Sequence, residues 1–228
     1  MKVLLAVVNC HSRLAYQQCI RDTWLPLVQG ADVRFFLGPS TREPQADEVF
    51  VECDDTYQGL PSKIKAIAQW SLGHGYRQML KCDDDVVMVP HKVLSSGFQN
   101  HEFSGHRNDI RAYSVPYGFC YWLGKRAMQL VADAELPRDN NDEVWVTHVL
   151  SKENIVLHHD SRYQMHTGKR EDFVQKVRSL RSPRRDAPFV DPTLEVFAKV
   201  MYIPWMGYKN LPDEQNIAEM KRVFKDMQ

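Results

Sequence analysis

The sequence predicts an α/β fold, a mostly parallel sheet flanked by helices, and three observations predict it. Strand-like and helix-like stretches alternate through the first two-thirds of the 228 residues. The opening strand is continuously apolar, as a strand covered on both faces must be. An acidic run, Asp83-Asp84-Asp85, closes another strand at the end where open α/β sheets place their ligands.

Each element follows from its pattern. Lys2 to Asn9, apolar from Val3 to Val8, reads as the first strand, and Leu14 to Leu27 is helical, with Ile20, Trp24 and Leu27 on one side. Val33 to Leu37, closed by Gly38-Pro39, is the second strand, and Glu48 to Glu52 the third. Pro61 suits the first turn of a helix that runs to about Leu72, with Ile64, Ile67, Ala68 and Trp70 as its apolar contacts. Gln78 to Cys82 is the fourth strand. Ala112 to Val115 and Tyr117 to Leu123 are predicted strands, Lys125 to Asp133 a helix, and Asn140-Asn141-Asp142 a helix start leading into Val144 to Leu150. Ile155 to His158 is a short strand. Residues 1–181 are read as the catalytic domain, and 182–228 as a linker with a C-terminal helix docked on that domain. The linker is the Pro- and Arg-rich Ser182 to Asp191, and the helix starts near Asp213, with Ile217, Met220, Phe224 and Met227 in one stripe.

Composition removes several classes. With 43% hydrophobic and 25% charged residues the chain is an ordinary globular protein, and 29 basic side chains balance 29 acidic ones. There is no global charge directed at nucleic acid or membrane. Locally there is: Lys169, Arg170, Lys176, Arg178, Arg181, Arg184 and Arg185 face only Glu171 and Asp172. The apolar run Val3 to Val8 is too short to span a bilayer. Five cysteines without metal-type spacing read as free thiols of a reducing cytoplasm.

The acidic triplet carries the chemistry. If the strand continues through it, Asp83 and Asp85 share a face and Asp84 takes the other. Crowded carboxylates repel when ionised, and a divalent cation removes that penalty. Mg²⁺ or Mn²⁺ held by one or two carboxylates keeps substrate phosphates among its ligands. A metal-diphosphate site is one reading, and a solvated acidic turn is the other.

An ordered series of short strings surrounds the triplet. Ile20-Arg21-Asp22-Thr23-Trp24 precedes Arg34-Phe35-Phe36-Leu37-Gly38, then Asp55-Thr56-Tyr57-Gln58-Gly59-Leu60-Pro61-Ser62-Lys63 and Lys81-Cys82-Asp83-Asp84-Asp85. Pro116-Tyr117-Gly118-Phe119-Cys120-Tyr121 and Asp142-Glu143-Val144-Trp145-Val146 close it. Over roughly Val3 to Asp172 this series resembles the β-1,3-galactosyltransferase and Fringe-like glycosyltransferases. The resemblance implies a Rossmann-like GT-A fold and an inverting transfer of a sugar from a nucleotide-sugar, with UDP the family's nucleotide, to a hydroxyl acceptor. It implies Mn²⁺ or Mg²⁺ on Asp85 and Asp83, and it nominates His166 as a late ligand, with His158 or His159 taking that place in another register.

The family's E-D-V element carries the catalytic base, and here the order is Asp142-Glu143-Val144. An ungapped match puts Glu143 in that place. Asp142 is the alternative, and both also suit the first turn of a helix as complements to its dipole. The resemblance places Asp55, Lys63 and Asp84 on the donor side. Tyr16 and Gln17 stand where relatives carry Arg, which leaves Arg13 and Arg21 to meet a uracil or a phosphate, with a surface role the other reading of Arg21. His11, in the loop after the first strand, is placed to line a base pocket. Gly59 and Pro61 replace the family's Asn and Thr.

The acceptor has two readings. Animal relatives are anchored in a secretory lumen, and a chain without an anchor or disulfides points to a bacterial or phage-infected cytoplasm. A 5-hydroxymethylpyrimidine in phage DNA, notably 5-hydroxymethylcytosine, is favoured by the basic stretch 169–185, since Lys and Arg on phosphates supply non-specific affinity. A saccharide on a glycan, lipid or protein is the alternative. Tyr117, Tyr121, Trp122, Trp145, Lys169 and Arg170 are the acceptor-side candidates, and Trp205 is a further stacking ring. Outside this class, a metal-dependent nuclease or phosphohydrolase and a non-catalytic carbohydrate-binding module share some of these features.

Overall fold

The computed structural model describes residues 1–108, 114–138, 141–165, 198–200 and 213–228. Among them, a seven-stranded sheet has the order β3-β2-β1-β4-β7-β6-β8. Its strands are β1 (Val3–Val8), β2 (Asp32–Leu37), β3 (Glu48–Phe50), β4 (Gln78–Asp83), β6 (Phe103–Asn108), β7 (Val115–Gly124) and β8 (His158–His159). The pairs β2/β3, β1/β2, β1/β4 and β6/β8 are parallel, and only the two pairs made by β7 are antiparallel. Helices α1 (Leu14–Asp22), α2 (Leu60–Gly73), α4 (Lys125–Asp133) and α5 (Asp142–Ser151) cover the sheet, and α3 (Pro90–Leu94) is a short helix between β4 and β6. A smaller sheet joins β5 (Val86–Met88) to β10 (Ala198–Val200) and β9 (Tyr163–Met165).

The period of two along each strand builds two cores. Val3, Leu5 and Val7 pack with Tyr16, Cys19, Ile20 and Trp24 on one face, while Leu4, Ala6 and Val8 pack with Ile64, Ile67, Met128 and Val146 on the other. The last helix, α6 (Asp213–Met227), lies on the first face. Met220 and Val223 are buried there, Tyr16 Oη donates to Asp213 Oδ1 (2.9 Å), and Asn216 Nδ2 donates to Tyr16 Oη (3.1 Å).

Several expectations shift. The first helix stops at Asp22, and Leu25–Leu27 forms a separate 3₁₀ turn led by Pro26. Strand β7 runs from Val115 through Pro116 and takes in the predicted Tyr117 to Leu123; residues 112–113 of the strand predicted before it lie outside the described residues. That proline pairs with Arg107 beside a register irregularity between Gly105 and Arg107, where a missing N–H is tolerated. The polar β6 and the three-residue β5 gave no periodic signal and were not foreseen. The predicted linker Ser182 to Asp191 lies outside the described residues.

The topology fixes where a ligand belongs. From β1 the chain steps outward to β2 and β3, then returns to β4 on the opposite side of β1. The carboxyl ends of β1 and β4 therefore flank the switch point, where two loops diverge and leave a crevice. Val8 is in register with Asp83, so Asn9 to Arg13 and the acidic triplet meet there.

Candidate active site

The triplet is not a solvated turn, and its acids do not alternate as on a strand. Strand β4 ends at Asp83, Asp84 and Asp85 form the turn into β5, and Trp24 Nε1 tethers that turn's far side by donating to Val86 O (3.0 Å). Asp84 faces β1. It accepts from Asn9 Nδ2 (2.6 Å) and from Arg13 Nε and Nη2 (2.7 Å at the shortest), a two-pronged pairing. Behind it the contacts continue from Gln17 Nε2 to Asn9 Oδ1 (2.8 Å) and from Arg21 Nη2 to Gln17 Oε1 (3.1 Å). Asp84 is thus the anchor of the turn.

Asp85 is the opposite case. Its Oδ1 is enclosed without a hydrogen-bond partner, and its Oδ2 stands 3.6 Å from Arg13 Nη2. Burial, with Asp84 and Asp83 beside it, pushes its carboxyl up to about 8. A buried carboxylate oxygen without a donor needs an explanation, and a cation is one. Asp83 is more open, with 37% of its side chain exposed, and accepts from Lys81 Nζ (2.6 Å).

Lys81 was passed over in the sequence as part of a string, yet it organises this side of the site. It is buried in the middle of β4, and its Nζ donates to Asp83 Oδ1 and to Gly118 O and stands 3.8 Å from Asp142 Oδ2. Burial alone would favour the neutral amine; Asp83 and Asp142 outweigh it and hold the ammonium charged. Its signal was legible: a lysine inside an apolar strand, two residues before Asp83 and on the same face.

Helix α5 presents the remaining acids. Asn141 caps it, accepting from Val144 N (3.1 Å), so Asp142 and Glu143 occupy the first turn as expected. Asp142 is buried, accepts from Tyr121 Oη (3.2 Å), and is raised by burial against the pull of Lys81. Glu143 is half-buried and lies across Gly118: a Cβ added there would come within 3.3 Å of Glu143 Oε2. Tyr57 is largely exposed yet shares this acidic neighbourhood: partial burial, then Glu143, Asp142 and Asp83, push its hydroxyl up.

On the other side, Asp55 braces the ends of β1 and β2. It accepts from Gly38 N (2.7 Å), His11 N (3.1 Å) and Lys63 Nζ (2.5 Å). Lys63 also donates to Asn9 O (2.7 Å), and His11 packs edge-on against Phe50. Burial would raise the Asp55 carboxyl, but Lys63 and the two backbone N–H groups hold it below the usual range. Gly59 admits no side chain, since a Cβ would fall 2.0 Å from Asp54 O. The glycine that departs from the family string thus has a packing reason of its own.

The structure brings His11, Arg13, Asp55, Lys63, Asp83, Asp84, Asp85, Asp142 and Glu143 to the carboxyl ends of the strands. It does not bring the rest. Arg21 lies two turns further along α1, about 12 Å from Arg13 by helical rise, and is held by Asp47 (2.7 Å). Tyr121 and Trp122 are fully buried, and Trp122 donates to Tyr163 Oη (2.7 Å) while stacking on Phe98. Trp145 is also buried and donates to Glu135 O (2.9 Å). None of these three rings offers a face to an acceptor. Tyr117 remains half-buried, edge-on to His106. His158 and His159 sit on β8, three strands and about 14 Å from β4, with His158 stacked on His101 and His159 Nδ1 accepting from Arg107 N. They are not ligands of the triplet. His166, Lys169, Arg170, Trp205 and the basic stretch 169–185 lie outside the described residues.

Among the described residues no group of three or more His, Cys, Asp or Glu side chains is arranged to hold a metal. The oxygen donors of Asp83 and Asp85 nevertheless fit Mn²⁺ or Mg²⁺, hard cations that take one or two carboxylates and fill the rest of their shell with phosphate and water. No described helix is long and apolar enough to cross a membrane.

The sheet order, its switch point and the acidic turn define the GT-A class of α/β fold, the fold of nucleotide-diphospho-sugar glycosyltransferases. No family model matches the chain, and no curated protein matches it in sequence. Solved structures match it in shape. A glycosyltransferase involved in the glycosylation of the major capsid of PBCV-1 aligns with a TM-score of 0.56 at 11% identity, over 98% of this chain and 100% of that one. The glycosyltransferase GlyE of Streptococcus pneumoniae TIGR4 gives 0.53 at 8% identity, over 98% and 64%. The galactosyltransferase LgtC, in complex with donor and acceptor sugar analogs, gives 0.50 at 10% identity, over 99% and 96%. At such identities the likeness is one of fold.

Proposed function

We propose that this chain is a metal-dependent, inverting glycosyltransferase that moves a sugar from a nucleotide-sugar, a UDP-sugar by the family resemblance, to a hydroxyl acceptor. The observation that carries the reading is the acidic turn at the switch point of a GT-A sheet, with an enclosed, donorless oxygen on Asp85 and, linked to Asp83 through Lys81, the helix that bears Glu143. Asp85 and Asp83 are the residues that would hold Mn²⁺ or Mg²⁺, and His166 remains a proposed third ligand. When bound, the cation neutralises charge on the departing diphosphate.

This chain's own groups supply the remaining work. Asp84, clamped by Asn9 and Arg13, holds the turn rigid so that Asp83 and Asp85 keep their places. Asp55, Lys63 and His11 form the wall of the donor pocket between β1 and β2. Glu143 Oε accepts the proton of the acceptor hydroxyl as that oxygen bonds to the anomeric carbon; the carbon–oxygen bond to the diphosphate breaks, and its electron pair leaves with the nucleotide. Asp142, enclosed against Lys81 and Tyr121, is not presented for that task.

Incubation with Mn²⁺ and a panel of UDP-sugars tests the class. Release of UDP from one donor, abolished by chelation, is the expected result. Hydrolysis of nucleic acid instead would identify a metal nuclease, and sugar binding without turnover a carbohydrate-binding module. For the acceptor, the basic stretch 169–185 supports 5-hydroxymethylcytosine in DNA. Transfer to such DNA that falls steeply with salt is expected; turnover of a simple glycan with no transfer to DNA would replace it by the saccharide reading.

A further inference from the structure

We propose that Lys81 is a positioning residue that locks the acidic turn to the first turn of α5, and so sets where the base stands relative to the donor; this rests on the transferase reading above. Strand β4 is otherwise built from Gln, Met, Leu and Cys up to Asp83, and packing alone gives it no use for an ammonium. Burying that charge is costly unless its partners are well placed. Here they come from three elements: Asp83 at the end of β4, Gly118 O on β7 and Asp142 on α5. Lys81 and Tyr121 are register partners, and the Tyr121 hydroxyl holds the same Asp142 oxygen that faces the ammonium.

The consequence reaches Glu143 by two routes. Asp142 is its neighbour in the helix, and Gly118 is the residue its carboxylate lies across. Without the Lys81 ammonium between them, Asp83 and Asp142 repel, and the α5 N-terminus loses its link to β4 and keeps the Tyr121 hydroxyl on β7. Lys81 therefore governs the alignment of base and anomeric carbon while touching neither.

The test is a double-mutant cycle on Lys81→Met and Asp142→Asn, read by thermal unfolding, by Mn²⁺ binding alone in electron paramagnetic resonance, and by kcat and KM for UDP release. Lys81→Met leaves Asp142 buried and uncompensated and lowers Tm; adding Asp142→Asn removes that stranded charge and restores most of it. In the double variant kcat stays down by about 100-fold, the scale of a small misplacement of reacting groups, while donor KM and the Mn²⁺ dissociation constant stay within about threefold of wild type. A double variant no more stable than Lys81→Met overturns the pairing. Recovery of full kcat with Tm would reduce Lys81 to charge balance, and a parallel loss of Mn²⁺ binding would place it in the donor cleft; either overturns the proposal. The stability cycle reads the geometry without catalysis, so a wild-type protein that releases no UDP would sink the transferase reading and leave the Lys81–Asp142 linkage measurable.

Discussion

Asp55 and Asp85 stand at the same end of the same sheet, and their surroundings differ in kind. Asp55 accepts from two backbone N–H groups and a lysine, which hold its carboxyl low. Asp85 has one distant guanidinium, an oxygen with no donor, and burial that, with two acidic neighbours, pushes it up. The first is a brace whose hydrogen bonds are complete; the second is an incomplete arrangement. Acidity alone does not mark a site. The supply of donors does.

The largest effect that would sharpen this contrast comes from Asp85→Ala, which should lower Mn²⁺-dependent UDP release by on the order of 10³-fold, the upper scale for removing one electrostatic contact of a transition state. Next, Glu143→Gln should reduce turnover by about 10²-fold, the lower bound for a general base, with donor KM unchanged. Full activity in that variant would move the base elsewhere. On stability, Arg13→Ala leaves Asp84 buried with only Asn9, and urea unfolding should show a loss of about 3 kcal/mol. Trp122→Phe removes the hydrogen bond to Tyr163 and leaves a cavity where the larger indole packed, and should cost about 2 kcal/mol, with kcat unchanged, because the ring is core and not acceptor platform.

A pH series separates the two carboxylates more finely. The Asp85 carboxyl is raised in the folded chain, so the folded state binds its proton more tightly than the unfolded state does. Its contribution favours folding at low pH and is lost as pH rises from about 4, the unfolded value, to about 8. Asp55 is lowered, so its contribution is present above the unfolded value and is lost only as pH falls below about 4. Without metal, Asp85→Asn should therefore flatten the decline in Tm between pH 5 and 8, read as the difference from wild type. An unchanged slope would show that Asp85 is already compensated.

Much of the fold was legible because the parallel strands are buried on both faces, and because Pro61 opens α2 and Asn141 caps α5. Leu4 to Val8, Pro61 and Asn141 each announced their element in a few residues. Strand β6 was not legible, since the run from Ser104 to Asn108 belongs to a strand through its pairing with β7 and β8 and not through any periodic pattern. In the site, the triplet stood out as an acidic run at a strand end, whereas Glu143, Asp55 and Lys63 were nominated only by the family resemblance. The division of labour inside the triplet could not, because β4 stops at Asp83 and the two-residue alternation stops with it. Aromatic residues misled for a related reason: Trp122 and Trp145 have polar tips that suit a binding surface, and here those tips are satisfied inside the core.

The central claim is that Asp85 and Asp83 clamp a nucleotide-sugar through a divalent cation while Glu143 acts only on the acceptor. Calorimetric titration of a UDP-sugar into wild type, Asp85→Ala and Glu143→Gln, each with and without Mn²⁺, tests it most directly. Wild type and Glu143→Gln should bind the donor only when Mn²⁺ is present, and Asp85→Ala should lose that dependence together with binding. Donor binding by Asp85→Ala with the wild-type Mn²⁺ requirement would contradict the account.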